Sequence, residues 1–488
     1  MEKKNEVSRG KVLSSLFWAY CENISAQLVS FVVSVILARI LAPSDYGSIA
    51  LVTVFINLAA VFVTSGFTTS LIQKKDADQL DYDTMFWFNS LVAIFLFLIL
   101  FFAAPSISRY YNQPILLPVL RVLALRVPLS AVNSIQMAFV SNRMIFKKSF
   151  LSTLIGAAIS GVIGIIMAYK GFGLWALVAQ SLSNVIFNTL LLTIIVSWKP
   201  KLQFSYNRFK SLFQFGWKML LTSLMFTGYT DLRTLVIGKK YSTENLGYYN
   251  KGNSIPQIIG ANIDSTITRV MFATLSQTQD NISALGKMTR RAAKTSAYLM
   301  TPILFGLAVV AETFVSVLLT DKWLPCVPYL QIMCMVWWLQ PTQSCSIQAI
   351  KAIGRSDLYL KIEIANKILG ISMLVAAVFF FDTPLAIAIS MICGQIVAFF
   401  TYGINIHRRI GYTIKQQLSD VLIPGVIGGI MCIAVYFVGR LISNNILSLV
   451  IQVITGGIVY ISISEIFKPE QYMYLRDMIF SALRRKKQ

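Results

Sequence analysis

Charge is scarce in this chain. Of 488 residues only 13% are Asp, Glu, Lys or Arg, 56% are hydrophobic, and the mean hydropathy is +0.66. A soluble globular domain carries about a quarter charged residues, so that class is excluded. There is one histidine, His407. A lone imidazole has no partner with which to hold a metal, and this one reads as a solvated residue of a basic loop. The six cysteines fall mostly inside apolar runs, with only Cys326 near an outer loop, so no external disulfide framework is implied. Gly-rich phosphate loops, Cys/His clusters and nucleophile motifs are missing as well. The sequence therefore predicts no enzyme, no metal and no cofactor.

What the chain has instead is length of apolar sequence. Runs such as SLVAIFLFLILFFAA (90–104) match the roughly 20 residues a helix needs to cross a bilayer core of about 30 Å. Backbone polar groups in lipid must be satisfied internally, which leaves helices or a closed barrel. The runs are continuous rather than alternating, so the fold class is an all-α integral membrane protein. About fourteen transmembrane helices are expected, near 13–38, 46–72, 85–104, 115–140, 150–169, 173–196, 213–237, 246–275, 291–319, 328–350, 358–380, 385–406, 420–440 and 446–466.

The loops sort by charge. With the basic N-tail (MEKKNEVSRGKVLSS) on the inside, alternate loops and the two tails hold 29 Lys and Arg, and the opposite loops hold 8. That imbalance follows the positive-inside rule and places both termini in the cytoplasm. No small-residue cleavage site follows the first apolar run, so the N-terminus reads as a tail rather than a signal peptide. The net charge of +22 is matched to anionic headgroups and calls for no nucleic acid. In the C-terminal YMYLRDMIFSALRRKKQ, Tyr474, Leu475, Met478, Ile479, Ala482 and Leu483 form one stripe, the pattern of an amphipathic helix lying on the inner leaflet.

An internal repeat underlies the order of the spans. LARILAPSDYGS (37–48) aligns with IGKKYSTENLGY (237–248), glycine falling on glycine at Gly47 and Gly247, with Ser44 and Thr243 as cap candidates for the helices that follow. NRMIFKK pairs with GRSDLYLK, and GFGLWALVAQ with FDTPLAIAIS, at nearly the same offset. Six spans per half is an even number, so the halves are parallel repeats. The expected organisation is an N-lobe (1–196), a cytoplasmic linker (197–212), a C-lobe (213–410), two extra helices (411–467) and a basic amphipathic tail (468–488).

LARILAPSDYGSIAL, VLRVLAL, NRMIFKKSF, GFGLWALVAQSL and NLGYYNKGNSI together resemble the polysaccharide-exporter branch of the multidrug/oligosaccharidyl-lipid/polysaccharide (MATE-like) superfamily, over roughly residues 10–410. The resemblance implies a V-shaped pair of six-helix lobes around a central cavity that opens alternately to each side. It implies a flippase for undecaprenyl-diphosphate-linked oligosaccharides (O-antigen, capsule or exopolysaccharide units) in the plasma (inner) membrane. Polysaccharide polymerase and glycosyltransferases would be partners in the same process. The runner-up is a multidrug or cation antiporter of the same superfamily; a membrane glycosyltransferase or polymerase would need a larger outer loop than any here.

Ionisable residues inside spans are costly and mark function. The cationic candidates for a substrate-binding cavity are Arg126, Arg233, Arg121, Lys218, Arg269 and Lys367; Glu22, Asp231 and Asp264 are the acids that could couple protons or line the cavity. Arg126 lies near mid-membrane between Pro118 and Pro128, where the helix should be irregular. Arg121, Lys218 and Arg269 have the alternative of snorkelling to an interface, Arg233 lies a few residues from the outer loop, and Lys367 has Glu363 at i−4 to neutralise it. Arginine suits a diphosphate because its planar fork makes two parallel hydrogen bonds to phosphate oxygens.

Overall fold

A computed structural model describes residues 9–74, 76–276 and 281–485. Among them there is no strand. Contacts divide the chain into two compact units, residues 1–247 and 248–488.

The first unit contains α1 (Arg9–Ile40), α2 (Pro43–Thr64), α3 (Gly66–Gln73), α4 (Gln79–Tyr110), α5 (Leu116–Leu123), α6 (Arg126–Arg143), α7 (Phe146–Tyr169), α8 (Leu174–Ile195) and α9 (Tyr206–Lys240). Helix α10 (Thr243–Ser276) starts there and continues into the second unit. That unit holds α11 (Ile282–Val309), α12 (Ala311–Leu319), α13 (Val327–Ala352), α14 (Ser356–Phe380), α15 (Pro384–Ile410), α16 (Ile414–Arg440), α17 (Asn445–Phe467) and the tail helix α18 (Glu470–Arg485). Taking α2 with α3, α5 with α6 and α11 with α12, and setting α18 aside, these make the fourteen long segments expected. Ten are long and apolar enough to cross a membrane; α1, α9, α10 and α13 are the other four, and α9, α10 and α13 carry more polar residues.

The bundle is built inside out relative to a soluble protein. Helix α4 turns Leu91, Ile94, Phe95 and Phe102 outward, while α7 buries Ser149, Ser152, Gly156, Ala157, Ser160, Gly161 and Gly164. Lipid solvates large apolar side chains, so helices associate instead through small residues that let backbones approach. A Cβ on Gly156 would lie 3.1 Å from the Asn188 backbone nitrogen of α8, and one on Gly161 would lie 2.5 Å from Val33 of α1.

The repeat is visible in the backbone. α1 ends at Ile40 and α9 at Lys240; α2 starts at Pro43 and α10 at Thr243. At the second pair of motifs, Met144 and Gly354 both take left-handed backbone (φ 54° and 73°). Each closes its helix with the same pair of bonds, Ile145 N–H to Val140 and Met144 N–H to Ser141, matched by Arg355 to Ile350 and Gly354 to Lys351. The third pair opens α8 at Leu174 and α15 at Pro384. Although the repeat makes α9 the counterpart of α1, contacts gather it with the first unit, against α2 and α3.

The helix-start caps differ from expectation. Ser44 lies inside the first turn of α2, and Asp45 reaches back to accept the Ala42 N–H at 3.2 Å. Thr243 likewise lies in the first turn of α10, where Ser242 Oγ accepts the Asn245 N–H at 3.2 Å. A carboxylate three residues into a helix satisfies an orphan donor as well as a hydroxyl ahead of it, and proline holds the N1 position of α2.

Gly47 and Gly247 are each the fifth residue of their helices, and they meet. A Cβ on Gly47 would sit 1.8 Å from the Thr243 carbonyl oxygen, and one on Gly247 would sit 2.0 Å from that of Pro43. The first turns of α2 and α10 thus cross backbone to backbone, each glycine against the start of the other helix.

Candidate functional site

The fourth span is broken where the two prolines suggested. α5 stops at Leu123, and α6 restarts at Arg126 after a two-residue interruption. Arg126 therefore sits at a helix start within the span. Its Nε is buried without a hydrogen-bond partner, and no carboxylate of the described residues lies within ion-pair distance.

Arg233, on α9, is 4% exposed. Its guanidinium lies 5.1 Å from the Tyr229 ring centroid, and Nη2 reaches the Tyr229 hydroxyl at 3.5 Å. Nε has no partner, and again no carboxylate pairs with it among the described residues. Both α6 and α9 pack against α2. A guanidinium shielded from water without a counter-charge is costly, and these two lie on helices that flank the same neighbour.

Asp231 lies two residues before Arg233 and points elsewhere. Its Oδ2 is buried with no hydrogen-bond partner among the described residues. Asp264 of α10 likewise has Oδ1 buried with no hydrogen-bond partner among the described residues. Glu22 of α1 is tied to α7 through Oε1, which accepts from Ser149 at 2.5 Å and from Thr153 at 3.0 Å.

The remaining cations separate from these. Arg121 donates to the Phe101 carbonyl at 3.3 Å, and its guanidinium lies 4.4 Å from the Phe101 ring centroid. Lys218 is exposed on α9. Lys367 is 2.9 Å from Glu363, whose other oxygen accepts from Tyr402 at 2.6 Å. Arg121 and Lys367 thus have partners on their own unit. The side chain of Arg269 lies outside the described residues, as do those of Met478, Ile479, Ala482 and Leu483 in the tail stripe and the N-tail before residue 9.

One charged cluster escaped the sequence reading. Asp81, at the start of α4, is fully buried and accepts from Lys74 at 2.6 Å and Arg208 at 3.1 Å. Arg208 also bonds Asp78 at 3.0 Å, and Asp83 accepts the Lys201 N–H at 3.1 Å. The cluster laces the basic 197–212 segment to α4. The signal was the density of acids in DADQLDYD beside a basic linker.

Fold and buried charges define a multi-pass, all-helical membrane protein with ionisable groups inside its bundle. Residues 36–328, more than half the chain, match the family described as polysaccharide biosynthesis protein, and the chain belongs to that family. It is 24% identical over 349 residues to the succinoglycan biosynthesis transport protein ExoT of Rhizobium meliloti (strain 1021), covering 72% of this chain and 71% of that one. It is 23% identical over 428 residues to the lipopolysaccharide biosynthesis protein WzxC of Escherichia coli (strain K12), covering 85% of each. Among solved structures it has the fold of the lipid II flippase MurJ in an inward closed conformation, with a TM-score of 0.76, 14% identity, and coverage of 95% of this chain and 100% of that one. An inward-facing multidrug resistance MATE transporter matches with a TM-score of 0.62 at 12% identity, covering 79% of this chain and 94% of that one.

Proposed function

We propose that this protein is a flippase that carries polyprenyl-diphosphate-linked oligosaccharide units from the cytoplasmic to the outer leaflet of the plasma membrane by alternating access, with both termini in the cytoplasm. The observation that carries the reading is the pair of arginines, half-buried Arg126 and buried Arg233, each with a buried, unpartnered Nε and neither with a carboxylate partner among the described residues. A diphosphate has to cross about 30 Å of hydrocarbon, and guanidinium groups shielded from water grip phosphate oxygens through charge-assisted, bidentate bonds. Arg126, at the joint of a broken span, and Arg233, held over Tyr229, would receive the diphosphate or acidic sugars in transit. The polyprenyl tail would stay in lipid. Asp231 and Asp264, each with a buried oxygen unpaired among the described residues, would be the acids to exchange a proton, ahead of Glu22, whose Oε1 is hydrogen-bonded. Polymerase and glycosyltransferases would act before and after the carrier. The family and its named relatives in succinoglycan and lipopolysaccharide biosynthesis support a glycan cargo over a drug.

In the producing strain, Arg126→Ala should abolish surface polysaccharide while protein level and membrane insertion stay normal. Arg126→Lys should restore it only in part, because an ammonium is a point charge without the fork. Normal surface polysaccharide in both Arg126→Ala and Arg233→Ala strains would refute the role. Unchanged glycan together with lost drug resistance would favour the antiporter.

A further inference from the structure

A second cationic feature lies away from Arg126 and Arg233, at the start of α11. Lys287, Arg290, Arg291 and Lys294 follow the spacing i, i+3, i+4, i+7, so all four share one helix face. Like charges at that spacing repel, and two carboxylates offset only part of the charge. Arg290 binds Asp420 through Nε at 2.8 Å and Nη2 at 3.3 Å. Lys294 sits between Asp420, at 3.8 Å, and Glu470. Among the described residues Lys287 has no carboxylate partner, and Arg291 is stacked 3.8 Å over the ring centroid of Tyr474. The tail helix α18 lies across this face and closes a cavity of about 270 Å³ lined by the four cations, Thr295, Glu470, Gln471 and Tyr474.

Gln471 is the second observation. It is 3% exposed, it lines the cavity, and among the described residues neither its amide oxygen nor its nitrogen has a hydrogen-bond partner. An amide buried with both ends unmet is expensive, and this one lines the same cavity as the four cations.

Depth points to the kind of acceptor. From residue 295 to 319 the chain carries a single charge, Glu312, and at ~1.5 Å per residue it runs about 37 Å, enough for the hydrocarbon core. The four cations therefore stand at headgroup level, on the side that the positive-inside pattern makes cytoplasmic. Beneath them Tyr472 and Leu475 of α18 pack against the apolar cluster of Tyr298, Met431 and Tyr460.

We propose that this cavity binds the phosphodiester headgroup of an acidic phospholipid of the cytoplasmic leaflet. The phosphate would be met by Lys287 and Arg291 and by the Gln471 amide nitrogen, fastening α18 to the bundle. Basic pockets beside membrane-spanning helices on the cytoplasmic side suit such headgroups.

The full-length protein, purified in detergent, would be titrated with phosphatidylglycerol or phosphatidylcholine and read by native mass spectrometry. Phosphatidylglycerol should be retained in preference, and the Lys287→Ala/Arg291→Ala variant should bind it about tenfold more weakly. Gln471→Leu should also weaken it without changing net charge, which a diffuse electrostatic attraction would not do. Lys287 and Arg291 are exposed, so their replacement should leave the Tm unmoved. Equal retention of the two lipids, or unaltered binding by both variants, would overturn the proposal. So would displacement of the lipid by millimolar inorganic phosphate, which would mark a site for free phosphate.

Discussion

The crossing of α2 and α10 at Gly47 and Gly247 invites a direct perturbation. Replacing Gly47 by alanine puts a methyl group 1.8 Å from the Thr243 carbonyl oxygen and 3.0 Å from the Gly247 nitrogen. Both obstacles are backbone, so no side chain can turn aside. Ordinary contact begins near 3.4 Å, and the two helix starts must part by about 1.6 Å. Overpacking costs about 1–3 kcal/mol where neighbours can adjust, so about 3 kcal/mol is expected here, with a fall in Tm of about 3 °C or more. Gly247→Ala meets the Pro43 oxygen at 2.0 Å and should cost a similar amount. The double variant should cost clearly less than the two together, because helices already parted by one methyl group make room for the other. Gly429→Ala, with nothing within 4 Å of the added carbon, is the control and should be neutral or slightly stabilising. Thermal unfolding of the four purified variants is the assay. If Gly47→Ala melts with Gly429→Ala, the close crossing is not what holds this end of the two helices.

Two more outcomes follow from the charged clusters. Asp81→Asn keeps the shape but leaves Lys74 and Arg208 facing a neutral group. Those cations are 31% and 38% exposed, so the cost is at the low end for a broken pair, about 1–2 kcal/mol. Trypsin should then cleave the 197–212 segment faster, and an unchanged cleavage rate would count against the lacing role. At the tail, hydrogen bonding and charge from Lys294 hold the Glu470 carboxyl below its ordinary value of 4.5. A lowered folded-state pKa means the tie is fully present above about pH 4.5 and fades as pH falls through the depressed value. Tail cleavage by an acid-tolerant protease should accelerate over that range in the wild type and should depend less on pH in Glu470→Gln.

The spans were legible because apolar length is a one-dimensional signal, and so was the break in the fourth span, written in Pro118 and Pro128. The ion pair of Lys367 with Glu363 could be read from i,i+4 spacing; its third member, Tyr402, could not, since it comes from another helix. The same limit hid the partners of Glu22, which lie 127 and 131 residues away at Ser149 and Thr153. The repeat aligned Gly47 with Gly247 without indicating that they touch, because alignment carries no distances. Sequence depth singled out Arg126 and Arg233, yet only the packing separates them from Arg121, whose guanidinium is spent on Phe101.

The hairpin of α7 and α8 has a bearing on how the chain assembles. Gly171 (φ 80°) and Gly173 (φ 54°) turn the chain between them, and Phe172 and Gly171 close the end of α7 by bonding to Met167 and Ala168. The interface, glycines against Asn188 and Gln180, is complete within residues 146–195. Contacts between sequence neighbours form before distant ones, and in lipid this pair gains its packing without help from any later helix. α7 and α8 should thus be the first stable piece of the first unit to form during synthesis. Helix α1, made much earlier, would wait in the bilayer until Ser149 and Thr153 arrive to take Glu22.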